Sequence, residues 1–128
     1  MPIQIHRAMV MNMKVAIIGS REFTDYELLK GKCDCILKNI QCPTIISGGA
    51  RGTDQLAELY AREKNLPLII HKPNWDKDGK SAGMKRNISI LKECTHVIAF
   101  WNGISSGTEH MIRYSKIYKR ELRIVIII

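Results

Sequence analysis

A chain of 128 residues, 45% hydrophobic and 25% charged, has the size of one ordinary domain and can fold without disulfide or metal staples. That balance argues against disorder, and the longest apolar run, Ile124–Ile128, is far too short to span a bilayer. The formal charge of +8 favours a polyanionic partner, yet the 20 Lys and Arg residues are dispersed along the chain rather than gathered into a tail or block.

Residues 1–12 (MPIQIHRAMVMN) read as an upstream extension: the apolar stretch is too short for a secretory signal and no small-residue cleavage site follows it. The domain is expected to occupy residues 13–128. Lys14–Ile18 (KVAII) is a continuous apolar strand ended by Gly19-Ser20. From Thr24 to Asn39, apolar residues at Leu29, Cys33, Ile36, Leu37 and Ile40 recur at the spacing of one helical face. Thr24 and Glu27 stand at capping-box spacing, with Phe23 placed to staple onto Leu28. A second strand, Thr44–Ser47, runs into Gly48-Gly49, and a helix from Thr53 to Lys64 should bury Leu56, Ala57, Tyr60 and Ala61. Pro67–His71 is the third strand. A polar, turn-rich stretch from Lys72 to Gly83 separates it from a helix over Met84–Glu93. The fourth strand, His96–Phe100, leads through Trp101–Ser105 into a helix over Ser106–Tyr118, where Ser106 and Glu109 form another capping-box pair. Leu122–Ile127 closes the series.

The order is βαβαβαβαβ. Strands apolar at every position are buried on both faces, which calls for a parallel sheet between helix layers. With right-handed crossovers, the expected fold is α/β: a single Rossmann-like, doubly wound parallel sheet of five strands with helices on both faces.

Ligands of such sheets bind outside the carboxyl ends of the strands, so the residues after each strand carry the information. Gly19-Ser20-Arg21 follows the first, Ser47-Gly48-Gly49-Ala50-Arg51-Gly52-Thr53-Asp54 the second, and Trp101 to Thr108 the fourth. All three loops are rich in glycine or hydroxyl residues and open a helix, an arrangement that offers backbone N–H groups and a favourable dipole to a phosphate. The expected ligand shell is therefore Gly19, Ser20, Arg21, Gly48, Gly49, Arg51, Gly52, Thr53, Gly107 and Thr108, with Arg86 and Asn87 closing from the third long helix. Asp54 and Lys80 are counted with them. For Asp54, a ribose-hydroxyl contact and a plain helix-dipole role are equally compatible with its position. Lys80 lies in a charge run that solvent alone would explain. Trp75 and Trp101 are placed either to stack on a base or to pack under a loop.

Other chemistry is excluded. Cys33 and Cys35 lie two apart within a helix and point to different faces, and Cys42 and Cys94 lack neighbours at finger-like spacing, so no metal site is expected. Reduced thiols and a cytoplasmic location go together. Neither G-x-G-x-x-G after the first strand nor a P-loop G-x-x-x-x-G-K-[ST] is present, and no nucleophile elbow occurs.

The segments VAIIGSREFTDYE, IISGGARGTDQLAELYA, NWDKDGKSAGMKRN and VIAFWNGISSGTEHMI together resemble the YspA/YpsA-like branch of the SLOG superfamily, from about Lys14 to the last strand. The resemblance implies a Rossmann-like domain that binds nucleotides or nucleotide-derived molecules such as NAD or ADP-ribose-like species, as a sensor or carrier. No particular cofactor is specified beyond such a nucleotide-type ligand, no membrane partner is expected, and a homo-oligomer is compatible with the chain. Two relatives supply alternatives. The LOG phosphoribohydrolases, which cleave N-glycosidic bonds of nucleotides, would make Arg86 and Glu109 catalytic; but Asn87 stands where they carry lysine, and Met111 where they carry glutamate. The DprA family binds single-stranded DNA, and its motifs resemble Gly19–Arg21 and Ser47–Ala57, with Thr53 in place of isoleucine.

Overall fold

Val15–Ile18 and Val97–Phe100 are buried at every position, which only a strand covered on both faces allows. In the computed structural model, which describes residues 13–128, these segments lie in the two central strands of a five-stranded sheet. The elements are β1 (Lys14–Gly19), α1 (Tyr26–Leu37), β2 (Thr44–Ser47), α2 (Thr53–Glu63), β3 (Leu68–Ile70), α3 (Trp75–Asp78), a 3-10 turn (Gly79–Ser81), α4 (Ala82–Glu93), β4 (His96–Trp101), α5 (Ser106–Ile117) and β5 (Glu121–Ile126). The strand order is β3-β2-β1-β4-β5 and every pairing is parallel. The upstream extension expected over residues 1–12 lies outside the described residues.

Two apolar layers follow from this order. On one face, Val15, Ile17, Ile45, Ile98 and Phe100 pack against Leu29, Cys33 and Leu37 of α1 and Ala57, Tyr60 and Ala61 of α2. On the other, Ala16, Ile18, Ile46, Val97 and Ala99 meet Ile90 and Leu91 of α4 and Met111 and Ile112 of α5. The chain is thus a doubly wound α/β sheet with helices on both faces. Burying the side chains of these layers stabilises the fold at roughly 1.5–3 kcal/mol for each large aliphatic residue.

Several local expectations are corrected. The first helix begins at Tyr26, because Asp25 caps it: its Oδ1 accepts from the Leu28 amide at 3.1 Å, leaving Thr24 outside the cap. Phe23 stacks on Phe100, with centroids 5.6 Å apart. The cap of α5 is Ser105 rather than Ser106, accepting from the Thr108 amide at 3.4 Å, so Glu109 falls outside the capping box. The stretch from Lys72 to Gly83 is not all loop: Asn74 caps α3 by accepting from the Lys77 amide at 3.1 Å, and α4 starts two residues early, at Ala82. Finally, β5 is an edge strand, and Ile124 and Ile126 are 40% and 61% exposed rather than buried on both faces.

Candidate functional site

The chain winds from β1 out to β3 in one direction, then returns to the middle and continues through β4 to β5 in the other. The carboxyl ends of β1 and β4 therefore diverge, leaving a crevice between their loops. That crevice is a cleft of about 440 Å³, lined on one side by Gly19, Ser20, Arg21 and Glu22 and on the other by Asn102 and Ile104 to Thr108. A second cleft, of about 400 Å³, opens on the other side of Arg21, between Gly49–Arg51 and Lys72–Trp75.

The β1 loop is held in place by the start of α2. The Ser20 carbonyl accepts from the Thr53 amide at 3.2 Å and from the Thr53 hydroxyl at 2.9 Å. Gly52 makes this approach possible: its φ is +74°, and a Cβ there would sit 2.2 Å from the Arg21 carbonyl oxygen. Gly19 is confined for a second reason, since its Cβ would lie 2.3 Å from the Phe100 carbonyl oxygen of β4. Ser20 itself is 2% exposed, and its hydroxyl is the one buried side-chain polar atom without a hydrogen-bond partner among the described residues. Arg21 is exposed and forms no ion pair among those residues.

Across the crevice, the Asn102 carboxamide oxygen accepts from the Ile104 and Ser105 amides, each at 2.9 Å, which turns the chain into α5. Ser105 then caps the helix. The amides of Ser106 and Gly107 make no hydrogen bond among the described residues and stand at the positive end of the helix dipole.

The glycine loop after β2 is organised differently. Two of its amides are used internally, Gly49 donating to the Ser47 hydroxyl and Ala50 to the Asp54 carboxylate, both at 3.1 Å, while those of Arg51 and Gly52 make no hydrogen bond among the described residues. Asp54 is 6% exposed, and burial pushes its carboxyl up to about 6 despite the Ala50 amide and the nearby Arg86 charge. The Arg86 guanidinium donates to the Gly48 carbonyl and, at 2.9 Å, to the Asn87 side chain. Burial lowers the Arg86 pKa, while Asp54 pulls it back up. Asn87 in turn meets His110 of α5 at 3.3 Å. Asp54, Arg86 and Asn87 thus form an internal strut that joins the glycine loop to α4 and α5, a network that no motif spacing signals.

Placed on this geometry, the sequence-derived shell divides. Gly19, Ser20, Arg21, Gly107 and Thr108 line the crevice; Arg21, Gly49 and Arg51 line the second cleft. Gly48, Gly52, Thr53 and Asp54 are buried supports, Arg86 and Asn87 belong to the strut, and Lys80 is exposed in the 3-10 turn away from both clefts. Arg51 is engaged with Glu22 at 2.8 Å. Lys72, a wall of the second cleft, was not among the expected residues; its only sequence signal is its position just past the third strand. Glu109 is exposed, lines neither cleft and forms no ion pair with Arg86 among the described residues. Among the described residues, no cluster of His, Cys, Asp or Glu could hold a metal, and no helix is long and apolar enough to cross a membrane.

Comparison with known proteins agrees with this architecture. The chain is similar to two solved structures of DNA processing protein A. That from Helicobacter pylori, studied for its single-stranded-DNA binding mode, is 22% identical with a TM-score of 0.70, covering 89% of this chain and 65% of its own. That from Streptococcus pneumoniae is 20% identical with a TM-score of 0.72, covering 90% of this chain and 50% of its own. The chain thus spans less than two thirds of either structure, and at these identities the likeness is one of fold. Gene 61 protein of Mycobacterium phage D29 is 33% identical, over 78% of this chain and 86% of that protein. A family model described as YspA, cpYpsA-related SLOG (YAcAr) matches residues 13–77, from the start of β1 through the glycine loop into α3. The chain belongs to the YspA, cpYpsA-related SLOG family.

Proposed function

We propose that this protein binds a phosphate-bearing nucleotide or nucleotide-derived ligand in the crevice between the β1 and β4 loops, as a sensor or carrier. The observation that carries the reading is the buried Ser20 hydroxyl, left without a partner on the wall of a cleft at the sheet's switch point. An unpaired buried hydroxyl costs about 1–3 kcal/mol, a cost that a ligand acceptor atom would remove. The free amides of Ser106 and Gly107 at a helix N-terminus, with the unpaired Arg21 opposite, supply donors for an anion. The phosphate is assigned to the β1–β4 crevice, where the Ser20 hydroxyl and the Ser106 and Gly107 amides converge, rather than to the glycine loop, two of whose amides, Gly49 and Ala50, are already used. The binding reading is preferred over glycosidic hydrolysis because Arg86 is committed to the strut and Glu109 stands apart from the crevice.

Ser106 is the first residue of α5, where proline is tolerated while its ring removes the N–H. The preceding Ser105, at φ −57° and ψ 116°, already has the extended backbone that a following proline requires. Ser106→Pro and Arg21→Ala should each weaken nucleotide binding in calorimetric titration about tenfold, the equivalent of one charge-assisted hydrogen bond, with little loss of thermal stability. Unchanged affinity in both folded variants would refute the assignment. Chromatography of nucleoside monophosphates incubated with the wild type should show no free base; base release lost in Glu109→Gln would favour the hydrolase instead.

A further inference from the structure

The second cleft contains more than the crevice needs. Its walls bring together Arg21, Arg51, Lys72 and Trp75 over a floor of Gly49 and Ala50. Trp75 is 52% exposed, a large apolar surface to leave in water beside a cationic pocket. The residue is not loosely held: it opens α3 behind the Asn74 cap, and the edge of its ring leans towards α4, 3.8 Å from where a Cβ on Gly83 would lie. One side of the indole is thus supported while the rest stays open. Lys72, like Arg21, forms no ion pair among the described residues; only Arg51 is neutralised, by Glu22. Gly49 lets Lys72 approach: at φ +72°, any Cβ there would stand 2.9 Å from the Lys72 Cγ.

Two uncommitted cations beside a half-open indole match the two parts of a nucleotide, an anionic phosphate and an aromatic base with a π-face. The two clefts share Arg21, so their occupants would flank one guanidinium. We infer that the second cleft is a subsite for a second base, stacked on Trp75, and that the preferred ligand is two nucleotide units bridged by phosphate across Arg21 and Lys72. This rests on the reading of the crevice as the first phosphate site. The bridging chemistry has two sources, a 5′,5′-pyrophosphate of the coenzyme kind or a 3′,5′-phosphodiester step of a single strand. The pyrophosphate is favoured, since its two negative charges match the two free cations.

The test compares a mononucleotide, a 5′,5′-pyrophosphate dinucleotide and a 3′,5′-linked dinucleotide by calorimetry and by quenching of tryptophan fluorescence, on the wild type, Trp75→Ala and Trp75→Phe. Trp101 donates through Nε1 to the Ser105 carbonyl at 3.1 Å and provides a background that the variants subtract. The wild type should bind the pyrophosphate dinucleotide at least tenfold more tightly than the mononucleotide, with quenching. Trp75→Ala should erase that advantage and leave mononucleotide affinity within twofold, while Trp75→Phe keeps most of it. Equal affinity for one-base and two-base probes, or an advantage that survives Trp75→Ala, would overturn the subsite and leave the proposed function standing. A larger advantage for the 3′,5′-linked probe would overturn the pyrophosphate assignment and point to a strand as the source. Failure of every probe to bind would overturn the crevice reading and this inference together.

Discussion

Asp54→Asn isolates the electrostatics of the strut. Asp54 is 6% exposed, and its carboxyl is raised from the ordinary 3.8 to about 6, chiefly by burial. The folded protein therefore holds a proton that the unfolded chain has already released, and this contribution to stability is fully present below about pH 3.8 and lost as pH rises through about 6. A rise of that size corresponds to about 3 kcal/mol, of which about half is recovered on acidifying from neutrality to about pH 5. Asparagine carries no titrating proton, yet its carboxamide oxygen can still accept from the Ala50 amide. Its NH₂ beside Arg86 adds a pH-independent offset, so the informative quantity is slope rather than absolute stability. Urea denaturation at about pH 5 and about pH 7.5 should show the wild type gaining roughly 1.5 kcal/mol more than Asp54→Asn on acidification. His96 and His110, lowered chiefly by burial, and the carboxylates of Asp34 and Glu93, held low by their partners, contribute alike to both proteins and cancel in the comparison. Parallel stability–pH curves for the two proteins would refute the picture of a buried, reluctantly ionised carboxylate.

Gly52→Ala should destabilise the fold by about 3 kcal/mol or more, because it combines an unfavourable positive φ with a Cβ driven into the Arg21 carbonyl; a melting temperature within about 2 °C of the wild type would contradict this. Of the four thiols, Cys35 and Cys42 are exposed, whereas Cys33 and Cys94 are buried and pushed up to about 12 and about 11 by burial. A disulfide reagent should therefore titrate Cys35 and Cys42 rapidly in the native protein and all four only after denaturation. Fast reaction of a third thiol would show that one of the two apolar layers opens readily.

The central sheet was legible because its signal is local and redundant. In β1 and β4, four consecutive buried residues leave a strand covered on both faces as the economical reading, and the glycines after β1 and β2 mark the edge where the loops gather. The caps were harder. Thr24-Asp25 and Ser105-Ser106 each offer two adjacent cap formers, and the three-residue spacing to Glu27 or Glu109 favoured the wrong member of both pairs. The α3 turn has no apolar period; Asn74 followed by Trp75 and Asp76 was its only mark. The inward turn of Asp54 and Arg86 depends on α4 packing beside the glycine loop, a contact between residues more than thirty positions apart that neither segment announces alone. Lys72 became a cleft wall because β3 stops at Ile70, short of the expected His71, which leaves the lysine to turn over Gly49.

Parallel strands end on carbonyl oxygens, so the carboxyl edge of such a sheet carries partial negative charge close to where a phosphate would have to come. Here two of those oxygens are masked. The Ser20 carbonyl receives three donors, from the Phe23 amide, the Thr53 amide and the Thr53 hydroxyl, and the Gly48 carbonyl receives the Arg86 guanidinium. Donors placed there offset the partial negative charge of those oxygens before any ligand arrives. An anion approaching this edge meets N–H groups and cations already in place, and the protein need not reorganise its own backbone dipoles to receive it.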